Sequence, residues 1–91
     1  MYILYKKPIQ LETLAIVQYL HSINIVFLPD TIIERNHPSF IKELPSIIYK
    51  DKLYSGLEEI IKLYESYSNI ENLLEKAIEF KEKNPKYTIK K

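Results

Sequence analysis

The chain has no cysteine and no tryptophan, and only one glycine and one methionine, in 91 residues. Without cysteine it can supply no disulfide framework, no thiolate metal site and no thiol nucleophile or redox couple. A single glycine, Gly56, leaves no phosphate-cradling glycine loop. An excess of one charge sign is missing as well. Thirteen Lys and Arg stand against 12 Asp and Glu, a formal charge of +1, so no chain-wide attraction to nucleic acid or an acidic membrane is implied. Long apolar runs are also missing. Thr13 to Pro29 holds no Lys, Arg, Asp or Glu, but Gln18, His21, Ser22 and Asn24 interrupt it, and it falls short of the roughly 20 apolar residues a span needs. Lys6 and Lys7 follow the apolar start rather than precede it, the reverse of a secretory signal. The expectation is a cytoplasmic protein with no membrane insertion and no nucleic-acid partner.

What is present suits one compact domain: 46% hydrophobic and 27% charged residues, an ordinary folded profile. Tyr2 to Lys6, aromatic and aliphatic and closed by Pro8, reads as a strand. Leu11, Leu14, Ala15, Val17 and Leu20 recur at helical spacing up to His21, with Glu12 in the first turn. Ile25 to Leu28 reads as a second strand stopped by Pro29. Strand, helix and strand in this order predict a right-handed crossover and parallel pairing. Pro38 is expected to open a short helical turn over Ser39 to Glu43 that packs Phe40 and Ile41.

Pro45 to Tyr49 and Lys52 to Tyr54 read as a tight hairpin turning at Lys50-Asp51. Ser55-Gly56-Leu57-Glu58 has the S-x-x-E form of a capping box, opening a helix with Leu57, Ile60, Ile61 and Tyr64 on one face. Ser68 to Glu71 repeats the form before a last helix carrying Ile70, Leu73, Leu74, Ala77, Ile78 and Lys81 in phase. Glu79 and Lys83 pair at i, i+4 on its polar face. Asn84-Pro85 ends it, and residues 85–91, with three lysines and no acid, are expected to form a mobile basic tail.

This order of elements resembles the thioredoxin fold, and most closely its glutaredoxin branch. Three stretches carry the resemblance. Tyr5-Lys6-Lys7-Pro8 is similar to the strand end and lysine-proline pair before the glutaredoxin active-site loop. Leu44 to Lys52 is similar to the segment with the family's cis-proline and hairpin. Tyr54 to Ile60 is similar to the glycine turn and helix start that bind glutathione in the family. The resemblance implies an α/β fold with a four-stranded mixed sheet flanked by helices. On this reading residues 1–67 form the glutaredoxin-like domain, residues 68–84 an additional amphipathic helix packed on it or extending from it, and residues 85–91 the tail.

The departures bear on function. Where the family places Cys-x-x-Cys or Cys-x-x-Ser, this chain has Gln10-Leu11-Glu12-Thr13. A carboxamide cannot attack a disulfide and Thr13 cannot resolve a mixed one, so thiol–disulfide exchange by this chain is excluded. The segment before the third strand is short, and the family's second helix is expected to shrink to a turn or vanish. The resemblance implies a vestigial groove in which Lys7 faces a ligand carboxylate, the backbone of Leu44 before a cis Pro45 pairs with the ligand, and Leu57 and Glu58 hold its other end.

Two functions follow as expectations. One is a non-catalytic structural or protein-interaction module, partnered by another protein or by a second copy through the last helix. The heavy use of Ile, Lys, Asn and Tyr suggests an AT-rich genome, and a virion or assembly component of a large DNA virus is one such setting. The other is a binding module that keeps glutathione, or a peptide, in the groove without thiol chemistry; otherwise no cofactor is expected. The eight tyrosines suit an interaction surface, though Tyr2, Tyr5 and Tyr49 lie in strands and suit packing. His21 and His37 sit on different elements with no acid at ligand spacing, so no metal site is expected. Glu58-Glu59 reads as helix solubility, not acid–base chemistry.

Overall fold

The computed structural model of the chain describes residues 1–89. Its elements in order are β1 (Tyr2–Tyr5), α1 (Glu12–Ser22), β2 (Thr31–Ile33), β3 (Ser46–Tyr49), β4 (Lys52–Ser55), α2 (Leu57–Ser68) and α3 (Leu73–Lys83). The strands form one mixed sheet in the order β2-β1-β3-β4. β1 pairs parallel with β2 and antiparallel with β3, and β3 pairs antiparallel with β4. This is the α/β class expected, with a layout compatible with the thioredoxin-like arrangement.

Alternation along the strands separates two faces. Tyr2, Leu4 and Ile47, at 4%, 0% and 0% exposure, face the helices and join Ile16, Leu20, Ile60, Tyr64, Leu73 and Ala77 in the main core. The register puts Ile3, Ile48 and Leu53 in a row on the opposite face, and Leu53 there is 41% exposed. The two-residue hairpin turn forms as expected, with Lys50 and Asp51 both at positive φ, the form that matches strand twist.

Several expectations require correction. The second strand is not Ile25 to Leu28 but β2, residues 31–33. Asp30 sets this register: its N–H donates to the Tyr2 carbonyl at 2.8 Å and its carboxylate accepts from the Tyr2 N–H at 2.9 Å. The apolar run before it supplies core instead, chiefly through Phe27. Pro38 opens only a single turn, closed by the Ile41 N–H on the Pro38 carbonyl at 3.0 Å; no helix continues to Glu43, and Ile41 is buried while Phe40 is 54% exposed. Neither capping box closes. Ser55 ends β4 and Gly56 is the N-cap of α2, with no side-chain cap bond. Ser68 ends α2, because left-handed Asn69 terminates that helix. The N-terminus of α3 is capped from outside, its Leu73 N–H donating to Glu65 Oε2 at 3.1 Å.

α3 packs chiefly against α1 rather than on the sheet, with Leu73 and Ala77 fully buried. The tail is docked as far as it is described. The Tyr87 hydroxyl bonds His21 Nδ1 at 2.7 Å, its ring meets Phe80 edge-on, and Ile89 packs against the core. Lys90 and Lys91, part of the expected mobile tail, lie outside the described residues.

Candidate functional site

The three stretches that carry the resemblance meet at one end of the sheet. β1 runs out through Lys6, whose N–H still donates to the Ile33 carbonyl, and the chain then turns at Pro8-Ile9. The Gln10 N–H closes that turn on the Lys7 carbonyl at 3.0 Å. The Gln10 carboxamide is used at both ends: Oε1 accepts from the Lys7 N–H at 2.7 Å and Nε2 donates to the Leu44 carbonyl at 2.9 Å. Leu44-Pro45 is a cis peptide, and the Pro45 carbonyl accepts from the Gly56 N–H at 2.9 Å. A chain of hydrogen bonds therefore ties the loop before α1 to the loop before β3, and that loop to the N-terminus of α2.

Each expected residue has a definite place in this arrangement. Pro45 is buried, Leu44 is half-buried, and the carbonyl assigned to a ligand already accepts from Gln10. Lys7 is exposed and has no ion pair among the described residues. Leu57 and Glu58 stand in the first turn of α2, half-buried and exposed. Thr13, in the first turn of α1, is 1% exposed, and its hydroxyl has no hydrogen-bond partner among the described residues.

The electrostatics at the start of α2 oppose an anionic ligand. Gly56 has φ +87°, a conformation that L side chains rarely adopt, and the Glu43 carboxylate lies 2.7 Å from where its Cβ would be. Glu43 is a flexible neighbour that can move, so it is the backbone angle that demands glycine. With Glu58 and Glu59 in the first turn, this helix end is faced by three of the chain's own carboxylates. The positive end of the macrodipole is thus already answered from within.

Two features of this end have no local signal in the sequence. Lys6 is 2% exposed and its ammonium lies 3.3 Å from Glu34 Oε2, a cation buried at the strand end. The Gln10–Leu44 bond joins residues 34 apart in sequence, a proximity that periodicity cannot report. No group of three or more His, Asp or Glu capable of holding a metal occurs among the described residues. No helix among them is long and apolar enough to cross a membrane. The marked shifts in acidity lie elsewhere: burial pushes the Tyr2 and Tyr64 phenols well above their usual range, and their hydroxyls hydrogen-bond each other. Comparison of the chain with protein-family models, with curated proteins and with solved structures returns no match.

Proposed function

We propose that this chain is a redox-inactive, glutaredoxin-like structural or protein-interaction module and not an enzyme. The observation that carries the reading is the Gln10 carboxamide, which the resemblance sets at the position of the family's nucleophile and which spends both its polar ends on the chain's own backbone. A group so engaged is a tie, not a reagent. The same bond takes the Leu44 carbonyl that an extended ligand would use for strand-like pairing. The carboxylates of Glu43, Glu58 and Glu59 around the start of α2 disfavour the anionic end of glutathione.

A glutathione titration of the isotope-labelled chain tests this, read through backbone amide shifts. The expected result is no saturable shift at Lys7, Leu44, Ser46 or Gly56 to Glu58 with millimolar ligand. Saturable shifts confined to those amides would overturn the reading in favour of a binding module that keeps its groove. Gln10→Ala frees the Leu44 carbonyl and is expected to shift the amides on both sides of the tie. If the variant then binds glutathione where the parent does not, Gln10 is the element that closes the groove.

A further inference from the structure

The carboxamide of Gln10 points inward to Leu44, while its two neighbours are turned out. Ile9 is 84% exposed and Leu11 is 57% exposed. Across from them α3 presents Ile78, 44% exposed, although the sequence places it in the apolar stripe. The three side chains and buried Ala15 line an open cleft of about 360 Å³ between the start of α1 and α3. An open trough beside a protruding Ile9 differs from the enclosed, mostly pre-formed pocket that holds a small ligand. Its shape suits apolar side chains carried on another polypeptide.

The charges around the cleft favour one kind of partner. Glu12 and Glu82 line it, and neither has an ion pair among the described residues. Lys81 also lines it, and its ammonium donates to Gln18 Oε1 at 2.9 Å. A carboxamide holds that ammonium without neutralising it, so two carboxylates against one ammonium leave the cleft with a net negative charge. We infer that this cleft docks a segment of another protein that combines apolar side chains with a nearby Lys or Arg. The inference rests on the reading of the chain as an interaction module and gives that module its contact surface. Gln10 acts in it as a positioning residue, since its tie to Leu44 holds the loop that displays Ile9 and Leu11. The apolar contacts supply attraction, and the two carboxylates select against acidic partners, because a like charge brought to the rim is penalised.

Three synthetic amphipathic peptides of equal length test it on the full chain: apolar/lysine, apolar/glutamate and serine/lysine. Saturable amide shifts along residues 9–15 and 78–82 are expected with the apolar/lysine peptide alone. I9S/L11S should weaken that binding by about tenfold or more, as loss of buried anchors does. E12Q/E82K should transfer the preference to the apolar/glutamate peptide. Should I9S/L11S fail to fold, E12Q/E82K decides the matter, since it leaves every apolar contact in place. Equal binding of the two apolar peptides, shifts at other amides, or an unchanged lysine preference in E12Q/E82K would each overturn the inference. Concentration-dependent mass that I9S/L11S abolishes would do so too, by giving the surface to a second copy. Glutathione shifts at Leu44, Ser46 and Gly56 instead strike at the module reading itself, through a different set of amides.

Discussion

The two ends of β1 are held by different physics. At its start Tyr2 pairs with Tyr49 across the sheet and meets the Phe27 ring at 4.7 Å. Phe27 in turn meets Tyr49 and Tyr64 edge-on and stacks on Tyr67 with centroids 4.0 Å apart. At its finish the strand leads into a polar tie running from Lys7 through Gln10 to Leu44. One end is a ring cluster whose worth scales with buried area, and the other is a few hydrogen bonds that each contribute about 1 kcal/mol net. The difference explains how the second end can hold together without a large apolar core of its own. The helix start and the proline loop there need only be tied, and a carboxamide ties them.

The largest effect expected from breaking this comparison is at the ring cluster. Phe27→Ala removes the ring that four tyrosines contact and should cost about 3–5 kcal/mol in denaturant unfolding. The amides around Gln10 and Leu44 should keep their shifts under native conditions. A loss below about 1 kcal/mol would mean the cluster is not where stability lies.

Phe27 also marks where the sequence was misleading. Ile25 to Leu28 has the composition of a buried strand, and composition cannot say whether an apolar run is buried by a ladder or by a core. The ladder went to residues 31–33 because Asp30 has the polar groups that pair with Tyr2. β1, α1, the β3–β4 hairpin and α2 were legible because their signals are local: a short aromatic and aliphatic run, helical spacing and a two-residue turn. The start of α3 was not, since its cap comes from Glu65 on the preceding helix. The docked tail was hidden for the same reason, its anchor His21 lying 66 residues away. At the site, resemblance could point to Gln10 as a replacement, but only the fold shows what its carboxamide holds.

A middle-sized effect separates the two ends by pH. The Tyr2 and Tyr64 phenols are raised by burial above the ordinary value of 10.0. Each therefore favours the folded state fully below about pH 10, and that contribution falls away as pH rises and the unfolded chain loses the proton. The pair should steepen alkaline unfolding by about 1.4 kcal/mol per pH unit for each phenol. Tyr64→Phe alone should cost about 1 kcal/mol or more at neutral pH, because it leaves the buried Tyr2 hydroxyl without its partner. Y2F/Y64F should recover most of that and flatten the alkaline limb. An unchanged limb in the double variant would show that the ring cluster is open to solvent base.

The smallest effect lies beside the tie and sharpens what kind of place it is. Thr13, in the first turn of α1, is 1% exposed and has a hydroxyl with no partner among the described residues. A buried hydroxyl left unpaired costs free energy, whereas its methyl packs. Valine keeps the shape and the β-branching while removing the oxygen. Thr13→Val should therefore raise stability by up to about 1 kcal/mol, and Thr13→Ala should lower it through the lost methyl. If Thr13→Val is instead destabilising, the hydroxyl is satisfied in solution by water. The end of β1 that holds Gln10 would then be hydrated beneath its surface, and its tie would be one bond in a wetter network.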